Sequence, residues 1–275
     1  MNKLHKALIY DMQVSLSVLE TTDMVNEAIK THNLNEKSAV TLGGLLTCAA
    51  YMAGCLKSEM GAVSVTVKAG GEAGTVSVSG DKDGHIRGYI DGTCDGKLNG
   101  GTLTVIKDDG FSRPFVGTCE LSGNDVSRNL MQYYDKSEQI PTAVSVGVKM
   151  RGGKCVAAGG VIMQLMPGTS EENTDKAEER MQAFVDAADV VEKYGADGII
   201  TTFFGELSQS GALYTTFPEY KCNCSRSKIE DVIKPLGAAE LYKIIDEEGC
   251  VKVHCHYCNT DHVFTKTDID ELFKI

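Results

Sequence analysis

The chain has 275 residues, of which 38 are acidic and 27 basic, so its formal net charge is −11. This charge argues against a general nucleic-acid binder, because binding to phosphates depends on clustered Lys and Arg. The length suggests two domains. No window of about 18 apolar residues occurs, and Asp11 stands where a signal peptide would be apolar. We therefore expect a cytoplasmic protein without a membrane segment.

The first sixty residues are predicted to be helical. Thr21 and Thr22 can cap a helix that runs to about residue 31, and a longer helix covers about residues 36–60. Leucine and alanine are so frequent in the second helix that it does not suit a surface position. We expect it to be buried.

From Val63 onward the hydrophobic period changes to two, which is typical of strands with one buried face. Residues 70–74 are glycine-rich and are predicted to form a hairpin turn. A helix at about residues 124–134 interrupts the strands. Strands are predicted at residues 63–67, 76–78, 85–89, 101–107, 116–120, 143–150 and 154–164. Residues 1–168 are therefore predicted to form an α+β core domain, with a mostly antiparallel sheet packed against helices.

An acidic segment follows this domain. Residues 171–193 carry eight acidic and three basic side chains. Their apolar residues recur at spacings of three and four, which predicts an amphipathic helix: Ala177, Met181, Phe184, Val185, Ala188 and Val191. This helix is either docked on the core in the ordinary way or only marginally stable, since its apolar stripe is narrow. We assign residues 169–217 to a helical linker.

Residues 218–275 are predicted to form a second, smaller domain. Ser225 or Ser227 can cap a short helix, a second helix follows at Ala238–Glu248, and a hairpin begins at Val251. Fewer than sixty residues with few large apolar side chains make a small core. Metal binding should therefore supply much of the folding free energy of this domain.

The strongest functional signal is a group of four cysteines in this domain. Cys222 and Cys224 form one close pair, and after 30 residues Cys255 and Cys258 form another. Four thiols in two pairs match a tetrahedral Zn²⁺ site and leave no position for a substrate. We predict one zinc ion per chain, with a structural or regulatory role.

Other potential ligands are assigned no role at this site. His254 and His256 flank Cys255, but in a strand they point to the opposite face. Cys250 is predicted to be a spare thiol. The remaining cysteines are isolated and are predicted to be small core residues: Cys48, Cys55, Cys94, Cys119 and Cys155.

Four thiolates can also act as an oxidant sensor, because the thiolate is the form that reacts with peroxide. Oxidising one ligand pair to a disulfide would remove two ligands and with them metal-binding free energy of about 10–16 kcal/mol. A disulfide between Cys222 and Cys224 would close a very short loop, and such a strained bond is easily reduced. The sequence contains none of the common nucleotide-binding or hydrolase motifs, so we predict no enzymatic activity.

The chain resembles the family of redox-regulated 33 kDa heat-shock chaperones over nearly its whole length. The C-terminal C-x-C and C-x-x-C pairs carry the most specific part of the resemblance. Other segments that resemble the family are Arg87-Gly-Tyr89, Gly101-Thr-Leu-Thr-Val105, Ser137-Glu-Gln139, Ala158-Gly-Gly160, Phe204-Gly-Glu-Leu207 and Leu236-Gly237.

The resemblance implies a holdase that is inactive when it is reduced and zinc-bound. Oxidation would form the disulfides Cys222–Cys224 and Cys255–Cys258, release zinc, unfold the small domain and loosen the linker. Apolar surface would then hold unfolding proteins without ATP. The resemblance also implies a homodimer in the oxidised state.

Three other functions compete with this interpretation. The small domain could be a purely structural zinc module of a constitutive interaction protein. Cys255 and Cys258 could be the active site of a thiol-disulfide oxidoreductase, although such a motif normally begins a helix. A zinc ribbon that binds nucleic acid is disfavoured, because the small domain has no evident basic excess.

Overall fold

The computed structural model describes the chain except residues 71–73, 92–97, 99, 124, 209–211 and 275, and describes only the backbone of residues 206–208. It has two compact units, Met1–Tyr220 and Lys221–Ile275. The predicted α+β class is confirmed. The division into residues 1–168, 169–217 and 218–275 stays a prediction, and the turn predicted at residues 70–74 lies partly outside the described residues.

One sheet of the first unit has five antiparallel strands: β1 (Lys3–Ile9), β2 (Val14–Glu20), β8 (Thr142–Arg151), β9 (Lys154–Leu165) and β10 (Tyr214–Thr216). Their order is β10-β1-β2-β9-β8. The first twenty residues therefore form a hairpin, and the prediction that they are helical is wrong. Buried Val14, Leu16 and Val18 alternate with Ser15 and Ser17, which is the period of a strand.

The second sheet has six strands: β3 (Ala62–Ala69), β4 (Thr75–Asp81), β5 (His85–Asp91), β6 (Gly101–Asp108), β7 (Phe115–Glu120) and β11 (Glu219–Tyr220). Their order is β11-β5-β4-β3-β6-β7. The strands pair antiparallel except that β11 runs parallel to β5. The inward-facing valines of β3 and β4 alternate with serine and threonine, as their sequence predicts.

Three helices belong to the core: α1 (Thr22–His32), α2 (Glu36–Gly54) and α3 (Val126–Tyr133), which continues into a π-helical turn at Tyr134–Glu138. Helix α2 contacts strands of both sheets and is almost completely buried, as predicted. It ends at Gly54 rather than near residue 60. The N–H of Cys55 bonds the carbonyl of Met52, three residues back, and this tighter turn closes the helix.

Two helices, α4 (Glu171–Met181) and α5 (Ala187–Ser208), cover the face of the five-stranded sheet that lies opposite α2. The sequence predicts one helix here, but a 3₁₀ turn at Gln182–Phe184 separates two, and α5 is kinked at Gly195. Val185 is 79% exposed, so its predicted place in the apolar stripe is wrong. Among the residues described, no helix is long and apolar enough to cross a membrane.

The covered sheet face carries Ile9, Val14, Leu16, Val18, Val161 and Met163, and we call it the masked face. Phe184 and Phe204 pack on it with their rings stacked at a centroid distance of 5.9 Å. A Cβ on Gly147 would lie 2.8 Å from the backbone nitrogen of Ala188, so this glycine lets α5 approach β8 closely. Lys149 of β8 also pairs with Asp189, at 2.6 Å. The acidic segment is therefore part of the first unit and is packed against the five-stranded sheet.

Asn129 of α3 supports the loop before it. This side chain is 1% exposed; its Oδ1 accepts from the N–H of Ser122, and its Nδ2 donates to the carbonyls of Gly123 and Asp125. Asn129→Ala should destabilise the first unit by about 1–3 kcal/mol, because buried polar groups lose their partners. Calorimetry should show a lower unfolding temperature, whereas Gln132→Ala, which removes a solvent-exposed bond, should change it little. Equal decreases in the unfolding temperature of the two variants would contradict the supporting role of Asn129.

The second unit consists of α6 (Arg226–Ile233), α7 (Ala238–Glu248), β12 (Val251–Cys255), β13 (Thr260–Phe264) and α8 (Lys266–Phe273). Strands β12 and β13 form an antiparallel hairpin. The buried apolar cluster of this unit is small: Ile233, Leu241, Val251, Phe264 and Ile269. Such a core offers little apolar burial to offset the entropy of ordering the chain.

Candidate metal centre

The four predicted cysteines lie together. Their sulfur atoms are all within 4.8 Å of one another. The Sγ atoms of Cys222 and Cys255 are 3.7 Å apart, and those of Cys224 and Cys258 are 3.3 Å apart. A tetrahedral zinc site with Zn–S bonds of about 2.3 Å has sulfur–sulfur distances of about 3.8 Å. The four thiols can therefore hold a metal ion, and their number and spacing suit zinc.

The first cysteine pair is positioned by the start of α6. Ser225 follows Cys224 directly and caps this helix, accepting from the N–H of Lys228. Arg226 donates to the carbonyl of Val263, and its guanidinium lies 4.4 Å from the centre of the Phe264 ring. These contacts fix the segment that carries the first pair against the hairpin that carries the second.

The second pair sits at the tip of the hairpin. Cys255 is the last residue of β12, and Cys258 lies in the turn that leads to β13. Asn259 follows with φ of 54°, a left-handed conformation that asparagine tolerates better than most residues. This sharp turn brings the two sulfurs to one side. The motif is not at the start of a helix, where the active-site pair of an oxidoreductase is usually found.

The surroundings of the thiols favour metal binding over four free thiolates. Burial raises the pKa of Cys222 and of Cys224 above the usual value of a thiol. Burial also acts to raise the pKa of Cys258, but hydrogen bonds from Thr260 and the neighbouring cysteines outweigh it and lower that pKa. Four negative charges this close together repel one another, whereas a bound divalent cation deprotonates the thiols that coordinate it.

The histidines near this site divide between two faces. His254 is exposed on the face of the hairpin opposite Cys255, and its Nδ1 lies 2.7 Å from a carboxylate oxygen of Asp261. His256 lies in the turn, with its ring 5.1 Å from that of His254. By contrast, the Nε2 of His262 is 3.6 Å from the Sγ of Cys224. Sequence reasoning missed His262, because its place beside the thiols follows only from the register of the hairpin.

The other cysteines lie outside the cluster. Cys48, Cys119 and Cys155 are buried, and burial raises the pKa of Cys48 to about 12 and that of Cys155 to about 11. Cys250 is half-buried, and Cys94 lies outside the described residues. Cys55 is exposed, so its prediction as a core residue is wrong. The early end of α2 places it at the surface.

A second group of potential ligands lies at the turn between β4 and β5. Asp81, Asp83 and His85 have ligand atoms within 4.8 Å of one another. Asp81 accepts from the backbone N–H groups of both other residues, and the two ring nitrogens of His85 face Asp81 and Glu219 at 3.3 and 3.4 Å. Turn structure and ion pairing account for this group, and we assign it no metal.

Fold and site together define a class of protein: a two-sheet α+β unit followed by a small unit with a four-cysteine metal centre. Comparison with protein families matches residues 2–265 to the family described as Hsp33 protein. The chain belongs to the Hsp33 family, whose members are chaperones.

Individual relatives match over nearly their full length. The 33 kDa chaperonin of Bacillus cytotoxicus is 35% identical, with 98% of this chain and 97% of the relative covered. That of Clostridium botulinum strain Langeland is 33% identical, with 99% and 97% covered. The crystal structure of the 33 kDa chaperonin of Thermotoga maritima has a TM-score of 0.83 at 25% identity, covering 99% of this chain and 98% of that one.

Proposed function

We propose that this Hsp33-family chain is a redox-regulated, ATP-independent holdase. It is inactive when reduced and zinc-bound, and it holds unfolding proteins when oxidised. The observation that carries the proposal is the cluster of four cysteine sulfurs within 4.8 Å in a unit with few buried apolar residues. Such a unit depends on its metal for folding, so oxidation of the ligands should also unfold it.

Zinc is the metal we propose, held by Cys222, Cys224, Cys255 and Cys258. When bound, it keeps four thiolates deprotonated at neutral pH and ties the segment before α6 to the hairpin tip. Four sulfur ligands close a tetrahedral site, so we propose a regulatory role for the metal and no enzymatic activity.

The proposed switch is oxidation of the ligands. Two thiolates, one molecule of hydrogen peroxide and two protons give one disulfide and two molecules of water, so the sulfurs lose two electrons and the peroxide gains them. Family resemblance supports the pairs Cys222–Cys224 and Cys255–Cys258. The sulfur contacts of 3.7 and 3.3 Å instead join Cys222 to Cys255 and Cys224 to Cys258. Peptide mapping of the oxidised chain distinguishes the two pairings.

Loss of the metal should unfold the second unit. Zinc binding to small domains of this kind is worth about 10–16 kcal/mol. This is comparable to the total stability of about 5–15 kcal/mol that is typical of a folded domain. With few buried apolar side chains, the second unit should therefore not stay folded once oxidation releases the metal.

We propose that the masked face is the surface that holds clients. Its valine, leucine, isoleucine and methionine side chains pack in one buried cluster with side chains of α4 and α5. Residues 171–193 carry eight acidic side chains among 23 residues, and charged side chains of this kind favour a solvated segment once its packing is lost. Once these helices loosen, the sheet offers a contiguous apolar patch, which is the kind of surface that captures apolar segments of unfolding proteins.

The test follows zinc and client together. The reduced, zinc-loaded chain is treated with peroxide at mild heat without ATP, and zinc release and the thermal aggregation of a model client are measured. We expect zinc to leave and aggregation to fall together, and reductant with zinc to reverse both. If zinc leaves while the client still aggregates, the metal is a structural support only, and the proposed switch is wrong.

We propose that the oxidised chain is a homodimer and that the protein works in the cytoplasm, where reductants keep thiols reduced until an oxidant appears. Sedimentation of the chain before and after peroxide treatment measures its oligomeric state. A monomer at all concentrations in the active state would contradict it.

A further inference from the structure

His262 lies beside the thiol cluster and is not one of the four proposed zinc ligands. It lies in β13 opposite Val253, two positions from the pair Cys255 and Thr260, so it shares the face of the hairpin that carries Cys255. Its ring is half-buried, and its Nε2 is 3.6 Å from the Sγ of Cys224. This distance is typical of a hydrogen bond to sulfur.

We propose that His262 is a positioning residue that donates a hydrogen bond from Nε2 to the Cys224 thiolate and slows its oxidation. This inference rests on the proposed function, since it concerns the rate of the same switch. A thiolate carries no proton and can only accept, so a hydrogen bond at this contact requires Nε2–H as the donor. The neutral ring is sufficient in the tautomer that carries its proton on Nε2.

The chemical step explains the direction of the effect. The Cys224 thiolate attacks one oxygen of hydrogen peroxide, the O–O bond breaks, a sulfenic acid forms and hydroxide leaves. A neighbouring thiolate then attacks this sulfur, the S–S bond forms and a second hydroxide leaves; two protons convert both hydroxides to water. A hydrogen bond to the attacking lone pair stabilises the thiolate more than the transition state, in which that pair is being shared. The donor therefore slows the first step.

The same hairpin supplies a matched control. His254 is exposed on the opposite face and is held by Asp261, whose carboxylate oxygen lies 2.7 Å from its Nδ1. Lys252 also pairs with Asp261, at 2.8 Å. A substitution at His254 thus changes a strand histidine of the same unit without touching a cluster sulfur.

The experiment compares His262→Phe, which removes the donor, with His262→Gln, whose amide nitrogen can replace Nε2, and with His254→Phe. Zinc release from the full-length, zinc-loaded chain is followed with a chromogenic chelator under excess peroxide. We expect release to be about three- to tenfold faster in His262→Phe, which is the rate effect of one modest hydrogen bond. His262→Gln and His254→Phe should release zinc at the wild-type rate.

A spectroscopic readout separates this role from general support of the fold. In the Co²⁺-substituted chain, loss of the hydrogen bond should shift the sulfur-to-cobalt charge-transfer band to lower energy in His262→Phe alone. The tetrahedral ligand-field bands show whether each variant still forms the site. His262→Thr, which suits a strand but cannot reach the sulfur, is the second variant without a donor.

The outcomes are distinct. If both variants without a donor form the site and oxidise at the wild-type rate with an unshifted band, the proposal is wrong. If both fail to bind cobalt, His262 supports the fold and the proposal is equally wrong. If the wild-type chain itself keeps its zinc under peroxide, the proposed function fails, whereas unchanged variant rates beside zinc loss from the wild type reject only the role of His262.

Discussion

Replacement of Cys255 by serine should abolish zinc binding and unfold the second unit of the reduced chain. A hydroxyl is a much poorer zinc ligand than a thiolate, and one lost ligand opens the tetrahedral site. The binding free energy at stake, about 10–16 kcal/mol, is larger than the five buried apolar side chains of this unit can replace. Metal content should fall to near zero, and amide hydrogen exchange in residues 221–275 should become fast.

Cys250→Ser is the control for this experiment. Cys250 is half-buried, in the same unit and five residues before Cys255, but it lies outside the cluster. The control should keep one zinc ion per chain and slow exchange. Protected amides in metal-free Cys255→Ser would show that the second unit folds on its apolar core alone, and the proposed coupling of metal and fold would then be wrong.

Phe184→Ala should make the reduced, zinc-loaded chain active without peroxide. Phe184 is fully buried, and its ring contacts those of Phe203 and Phe204 at centroid distances of 5.0 and 5.9 Å. Removing a buried phenylalanine costs about 3–5 kcal/mol. Phe184 lies in the turn between α4 and α5, so its loss should loosen α4 and the first turns of α5 from the masked face. Suppression of client aggregation by the untreated variant is the measurement.

Val185→Ala is the matched control, because the neighbouring Val185 is 79% exposed and contributes little to packing. It should leave the reduced chain inactive. Hydrogen exchange over residues 171–208 reports whether the helices have loosened. Fast exchange in Phe184→Ala without any protection of the client would show that the masked face does not hold clients.

The metal centre was predictable from the sequence because its signal is local. Two close pairs of cysteines in a short segment are enough to place four thiols around one ion. The buried helix α2 and the strands from β3 to β9 were predictable for a similar reason, since their hydrophobic periods are long and regular. No partner from another part of the chain is needed to recognise them.

The N-terminal hairpin shows where this reasoning failed. The alternation of Val14, Leu16 and Val18 with serine is a strand signal, but it is short beside the long apolar helix that follows it in the first sixty residues. The role of Val185 failed for another reason. A continuous helix would place it with Phe184 near the core, whereas the 3₁₀ turn at Gln182–Phe184 changes the phase of the helix and turns Val185 outward.

His262 could not be found from the sequence by spacing alone. It is separated from Cys224 by 37 residues, and its approach to that sulfur depends on which residues pair across the hairpin. A shift of one residue in register would turn His262 to the other face. The turn that sets the register, with Asn259 in a left-handed conformation, has no unique sequence signature. Proximity of this kind is a property of tertiary structure.

The kink in α5 divides the covering segment into two parts that need not melt together. Gly195 has φ of 61° and ψ of 177°, so the helical hydrogen-bond ladder stops there, and Glu20 of β2 accepts from the N–H of Ala196 to begin a new one. Unfolding that begins at α4 should stop at this capped start of the second helical part. Ile199 and Phe204, which follow it, then stay packed on the sheet. Exposure of the sheet can therefore be graded, with a partial and a complete state, instead of all-or-none.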